Sequence, residues 1–220
     1  PARRCSIWPK SSPKASAVAE EDRIRNAVIT RFDEVALDGP AGRFSYPVGL
    51  DGLAALRYPM DLCSALPQKL CARFCGVGNV QLPAALAEGE HVLDIGCGCG
   101  TDSLLAALSV GEQGRVTGID LSPAMIRKAR RFAEAAHIGH AEFIAGDITA
   151  QTFPPEHFDA VLSNGVFNLI PDKEAALRQI YSLLKRGGRL VIADQVRNAF
   201  TSSPLPANDA DAPSPASWAQ

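Results

Sequence analysis

The sequence predicts an α/β fold with a doubly wound, mostly parallel sheet behind an N-terminal helical cap. Three observations predict it. From His91 onward, short β-branched and aliphatic runs alternate with stretches of helical periodicity, the pattern of parallel strands joined by crossover helices. Residues 20–90 carry helical spacing instead, broken by prolines. Between these regions the run Val92, Leu93, Asp94, Ile95 opens into three alternate glycines, Gly96, Gly98 and Gly100. That stretch reads as a buried strand, a tight turn and a helix start, and its amides point at a ligand bearing a nucleotide or a carboxylate.

In chain order, residues 1–19 contain Arg3, Arg4, Lys10 and Lys14 and no acid, and read as a disordered basic arm. Over 20–37 the apolar positions Ile24, Val28, Phe32 and Val35 mark a one-sided helix that needs a surface to pack on. Shorter helical pieces follow near 50–56 and 61–75, interrupted by Pro59 and Pro67, until Gly76 to Asn79 break the pattern. Residues 20–90 thus form the cap. The core, 91–196, holds strand one at 91–95 and a helix at 101–110, then strand two at 115–120. A helix over 123–137 starts with Ser122 as N-cap and Pro123 in the first turn. Strand three spans 141–145, strand four 158–163, the last helix 171–184 and strand five 189–193. Prolines 204, 206, 213 and 215 make 197–220 a Pro/Ala-rich tail.

A chain of 220 residues buries about 70% of its unfolded surface as one domain. A net charge of -2 argues against nucleic acid or an anionic membrane as the main partner. No apolar run approaches the roughly 18 residues of a membrane span. Six cysteines without a secretory signal read as free thiols of a cytoplasmic protein.

The glycine spacing sets the chemistry. A dinucleotide fingerprint needs glycine at position 101, where this chain has Thr101. Asp120 ends strand two, placed to accept from a ribose diol, with a capping role as the alternative. Asp147 ends strand three, placed to accept from an adenine amine while Ile148 packs on the ring; the alternative is a helix N-cap. The sequence has no His-Glu-x-x-His, no Gly-x-Ser-x-Gly, no P-loop and no predicted metal site. His91, His137, His140 and His157 fall at element ends and are expected on the surface.

From about Glu90 to Asp194 these motifs, with Phe158 to Ser163 and Leu184 to Leu190, resemble the class I S-adenosylmethionine-dependent methyltransferases. The resemblance implies a Rossmann-like sheet of order 3-2-1-4-5 and S-adenosyl-L-methionine as cofactor. It places Gly96, Gly98 and Gly100 beside the methionine part, Asp120 on the ribose and Asp147 on the adenine, with Asp94 orienting the loop. Cys97, Leu121, Ile148 and Asn164 complete the implied contact set. Ser163 to Lys173 and Arg73 to Asn79 are similar to the arsenite methyltransferase family, which binds trivalent arsenic through cysteines. By the resemblance one of those thiols falls at Gly165 here and another close to Val77, and neither position holds sulfur. Cys71 and Cys75, four apart, share a face if 67–75 is helical; alternatively Cys63, Cys71 and Cys75 are small buried residues, and Cys97 and Cys99 merely fit the loop.

Asn164, Phe167, Asn168 and Cys75 are the candidates for facing a substrate. No Asn/Asp-Pro-Pro-Tyr/Phe sequence follows strand four, which argues against methylation of nucleic-acid bases. The family's sheet carries two further strands, so strand five is expected to leave an open edge, covered by the tail or by a second copy in a homodimer, with 197–220 as a truncation point. The expected activity is methyl transfer to a small-molecule acceptor. The alternatives are arsenite methylation through non-standard cysteines, or a catalytically silent cofactor-binding protein.

Overall fold

A computed structural model describes residues 15–196; most of the expected basic arm and the whole expected tail lie outside the described residues. The sheet has five strands in the order β3-β2-β1-β4-β5. They are β1 (His91–Ile95), β2 (Arg115–Asp120), β3 (Ala141–Ala145), β4 (Phe158–Asn164) and β5 (Leu184–Ala193). All four pairings are parallel, with Asp94 opposite Gly118 on one side and Leu162 on the other. The order reverses between β1 and β4, where an open α/β sheet forms its crevice. α6 (Thr101–Val110) and α7 (Pro123–Ala135) follow β1 and β2, and α8 (Lys173–Leu183) precedes β5.

Hydrophobic cores cover both faces. Val92, Leu104, Leu105, Val116, Phe143 and Leu162 pack with the cap and α6 on one face. Leu93, Ile95, Ile119, Phe158, Val161, Ile180 and Leu183 form the other. This two-sided burial explains why β1 reads as a continuous apolar run interrupted only by Asp94.

The cap comprises α1 (Ala15–Asp38), α2 (Gly49–Ala55), α3 (Met60–Ser64), α4 (Gln68–Cys71) and α5 (Gln81–Ala84). α1 begins five residues before the expected start. The expected piece over 61–75 divides at Pro67, which caps α4, and helix ends at Cys71. Ser122 caps α7 as its sequence suggests, accepting from the Met125 amide at 3.0 Å. That helix stops at Ala135 because His137 adopts positive φ. Strand five is longer than expected: it starts at Leu184 rather than at 189, and an irregularity in its pairing absorbs Gly187 and Gly188. Arg73 Nη1 donates to the Ala36 carbonyl at 2.7 Å and ties the end of α1 down. Among the described residues no helix is long and apolar enough to cross a membrane.

Candidate functional site

The glycine turn is held open by backbone geometry. Gly96, Gly98 and Gly100 have φ of 70°, 54° and 93°. A Cβ on Gly96 would lie 2.1 Å from Val166 Cγ2, whereas one on Gly98 meets nothing within 4 Å, because Gly98 borders a cavity. The Gly98 amide donates to Asp120 Oδ2 at 2.9 Å and the Ser122 amide to Oδ1 at 2.8 Å. Asp120 therefore ties the turn to the end of β2. Burial pushes its carboxyl up to about 6, opposed by these two amides.

Asp94, Cys97 and Gly100 stand behind the wall. Asp94 is buried and accepts from Ser103 Oγ at 2.5 Å, which couples β1 to the first turns of α6. Burial, reinforced by the neighbouring charge of Asp102, pushes the Asp94 carboxyl well up. The Cys97 thiol is raised mainly by burial too.

Asp147 is more occupied than its sequence position suggests. Oδ2 accepts from Arg25 Nε at 2.7 Å, and Oδ1 from the Thr149 amide at 2.8 Å and hydroxyl at 2.7 Å. Burial would raise this acid, but these donors outweigh it and hold it below the ordinary range. A carboxylate offers about four lone-pair sites, so one remains for a ligand donor. Ile148 is buried at 4% exposure and lines the same wall, as does Leu121.

The candidates at the end of β4 and beyond it separate. Asn164 lines the cavity, yet its amide is spent on the scaffold. Oδ1 accepts from the Val77 and Gly78 amides at 2.8 and 3.2 Å, and Nδ2 donates to the Gly78 carbonyl, Tyr58 and Asp102 at 2.8, 3.1 and 3.0 Å. Its place is that of a clamp between cap and sheet rather than a hand on the ligand. Phe167 packs into the core under α8, away from the wall. Asn168 does line the cavity, is 8% exposed, and has a buried Oδ1 with no partner. Among the candidates beyond β4, it alone keeps an unused polar atom.

The cysteines also part company. Because α4 ends at Cys71, Cys71 and Cys75 do not share a helical face. Cys71 enters the core, its thiol donating to the Cys63 carbonyl at 3.5 Å. Cys75 stands on the cavity wall, where burial and the nearby Cys99 push its thiol up to about 12. Cys97 and Cys99 are buried in the loop. Among the described residues no group of three metal-ligating side chains converges. His91, His140 and His157 are half-buried rather than on the surface, and His137 is exposed. The His91 and His157 rings, 5.4 Å apart, lie at the opposite end of the strands from the cavity.

The cavity, about 400 Å³, runs from Asp147 and Ile148 past Gly98 and Gly96 to Val77, Gly165 and Asn168. Its roof comes from the helical cap, whose individual lining residues the sequence did not single out. Arg25, Val28, Arg31 and Phe32 of α1, with Arg43, Phe44 and Tyr46 beyond it, close the side facing away from the sheet. The only signal was the apolar stripe through Val28 and Phe32, which needed a packing surface. The buried cluster of Tyr58, Gln81 and Asp102 was also missed: both side chains donate to Asp102 Oδ1, at 2.8 and 2.9 Å.

A parallel sheet with a glycine turn at its switch point and acids ending the next two strands defines a Rossmann-like cofactor-binding domain. Residues 86–217 match the family described as a methyltransferase domain, and the chain belongs to that family. It is 42% identical over 124 residues to the arsenite methyltransferase of Halobacterium salinarum, covering 56% of this chain and 32% of that protein. It is 38% identical over 118 residues to the aklanonic acid methyltransferase DauC of Streptomyces sp., covering 54% of each. The crystal structure of an arsenic(III) S-adenosylmethionine methyltransferase from Chlamydomonas reinhardtii superposes with a TM-score of 0.56 at 35% identity, over 68% of this chain and 50% of that one. The chain thus spans between a third and about half of the length of these relatives.

Proposed function

We propose that the chain is a class I methyltransferase that uses S-adenosyl-L-methionine to methylate a small-molecule acceptor. The observation that carries this reading is one cavity lined by Gly98, Asp120, Asp147 and Ile148 at one end and by Asn168 and Cys75 at the other. The open space over Gly98 and the remaining acceptor site of Asp147 fit the cofactor. Asp120 would hold the ribose, Asp147 and Ile148 the adenine, and the glycine turn the methionine part. The bound cofactor supplies an electrophilic methyl group on a sulfonium.

The protein's contribution is positioning and exclusion of water. Asp94 fixes the start of α6 through Ser103, Asn164 locks the cap loop to β4, and α1 closes the roof. Asn168 Oδ1 orients an acceptor that carries a donor group. Wild-type protein should bind S-adenosylhomocysteine with micromolar affinity by calorimetry; no binding to intact protein ends this reading.

Cys75 on the cavity wall supports a second reading, methylation of trivalent arsenic, which relatives perform by name. One thiol held neutral by burial is a poor ligand set for a soft metalloid, so the small-molecule reading ranks first. Product analysis after incubation with arsenite, cofactor and thiol separates the two. A silent cofactor-binding role is removed by turnover on any acceptor. The five described cysteines, all free, support a cytoplasmic setting, and a net charge of -2 favours partners other than nucleic acid. A homodimer through the edge of β5 belongs to the same proposal.

A further inference from the structure

Three arginines of the cap line the cavity, and two of them are already neutralised. Arg25 pairs with Asp147 at 2.7 Å, and with Asp22 and Glu21 at 3.4 and 3.5 Å. Arg43 pairs with Asp38 at 2.8 Å and Glu34 at 2.9 Å. Among the described residues Arg31 has no acidic partner. One terminal nitrogen donates to the Arg43 carbonyl at 3.1 Å, and its guanidinium carbon lies 5.5 Å from the centre of the Phe44 ring. Its Nε is buried and makes no hydrogen bond. The Arg31 charge reaches both the Tyr46 phenol and the Cys75 thiol, opposing the rise that burial imposes on each. Both groups are neutral at physiological pH, so neither supplies a counter-charge.

A guanidinium in an apolar cavity, stacked on an aromatic ring, with a buried donor unused and no acid beside it, is half of an ion pair. Guanidinium favours planar oxyanions. We propose that Arg31 is the anion receptor of this cavity and that its ligand is a carboxylate, held through Nε with Phe44 fixing the plane. The inference rests on the cofactor reading above. A carboxylate reaches this point from either of two sources, the methionine end of the cofactor or an acidic group on the acceptor.

The test compares wild-type protein with Arg31→Gln and Arg31→Lys, using calorimetry on the full chain. The probes are S-adenosylhomocysteine, 5′-methylthioadenosine (the same nucleoside without the amino acid), and 2-naphthoate added to protein saturated with S-adenosylhomocysteine. A tenfold or greater loss of S-adenosylhomocysteine affinity in Arg31→Gln, with 5′-methylthioadenosine within twofold and partial recovery in Arg31→Lys, supports the proposal with the cofactor as source. Unchanged S-adenosylhomocysteine affinity with loss of wild-type naphthoate binding supports it with the acceptor as source. Arg23→Gln removes an exposed charge of α1 that is paired with Glu20 and should move no probe by more than twofold. If Arg31→Gln leaves both carboxylates unaffected, or weakens 5′-methylthioadenosine as much as S-adenosylhomocysteine, the proposal is overturned. If wild-type protein binds neither nucleoside, the cofactor reading fails instead.

Discussion

At the residue scale, Asp120 has two tasks that compete for one carboxylate. Each oxygen already accepts a backbone amide, from Gly98 and from Ser122, and the remaining lone pairs are those a ribose diol would use. Replacing it with alanine removes both the turn's anchor and the diol's acceptor, so Asp120→Ala should weaken S-adenosylhomocysteine at least about tenfold. The carboxyl is pushed up to about 6, and the diol needs the ionised form. Affinity should therefore fall about tenfold per pH unit below 6 and level off above it, and Asp120→Asn should flatten the profile. Binding titrations from pH 5 to 8 check the sign.

Val77 and Gly165 make a second residue-scale case. A Cβ on Gly165 would lie 3.6 Å from Val77 Cγ1, so Gly165 and Val77, where or near where the sequence resemblance would place arsenic-binding thiols, are neighbours across the cavity. The double variant Val77→Cys, Gly165→Cys should bind trivalent arsenic at least about tenfold more tightly than wild type, at some cost in stability because Gly165 has φ of 74°. Competition with a fluorescent dithiol-seeking arsenical would read it out.

At the element scale, α1 decides whether the cavity is closed. Its stripe of Val28, Phe32 and Val35 was legible because apolar residues at helical spacing need a surface. Arg25 was not legible, since a charged residue on a helix ordinarily points to water, and only the fold brings it to Asp147, 122 positions away. The pair is partly exposed, at 25% and 20%, and such pairs contribute about 1 kcal/mol. Arg25→Met should accordingly speed S-adenosylhomocysteine dissociation about fivefold and reduce hydrogen-exchange protection over residues 20–30. Unchanged dissociation would show that the roof is held by its apolar contacts alone. Asn164 teaches the same lesson in reverse: its position after strand four suggests a ligand contact, but five scaffold hydrogen bonds claim its amide.

At the scale of the whole molecule, the centre of the sheet buries an acid, and beyond β5 no further strand pairs among the described residues. Burial, with the charge of Asp102 beside it, pushes the Asp94 carboxyl up to about 8 in the fold, whereas the unfolded chain ionises it above about pH 4, so the unfolded state releases the proton first and stability declines as pH rises from there. Asp94→Asn removes this linkage. Wild type should lose more than about 1 kcal/mol relative to the variant between pH 5 and 8, measured by urea unfolding. β5 pairs only with β4 among the described residues and leaves Ile192 40% exposed. An unpaired edge invites another strand. Sedimentation of wild-type protein should show self-association that Ile192→Lys abolishes, and a monomer throughout would remove the proposed dimer.

The sequence by itself determined the strands apart from the start of strand five, their order through the resemblance, the glycine turn and the acids at positions 120 and 147. Period-two and period-3.6 patterns, glycines with positive φ and capping residues are local, and local physics is written along the chain. Tertiary structure alone decided which polar groups remain free to meet a ligand. That depends on partners from distant segments: Asn164 spent on the cap loop, Asp147 shared with Arg25, and Arg31 and Asn168 left with unused atoms in an apolar cavity.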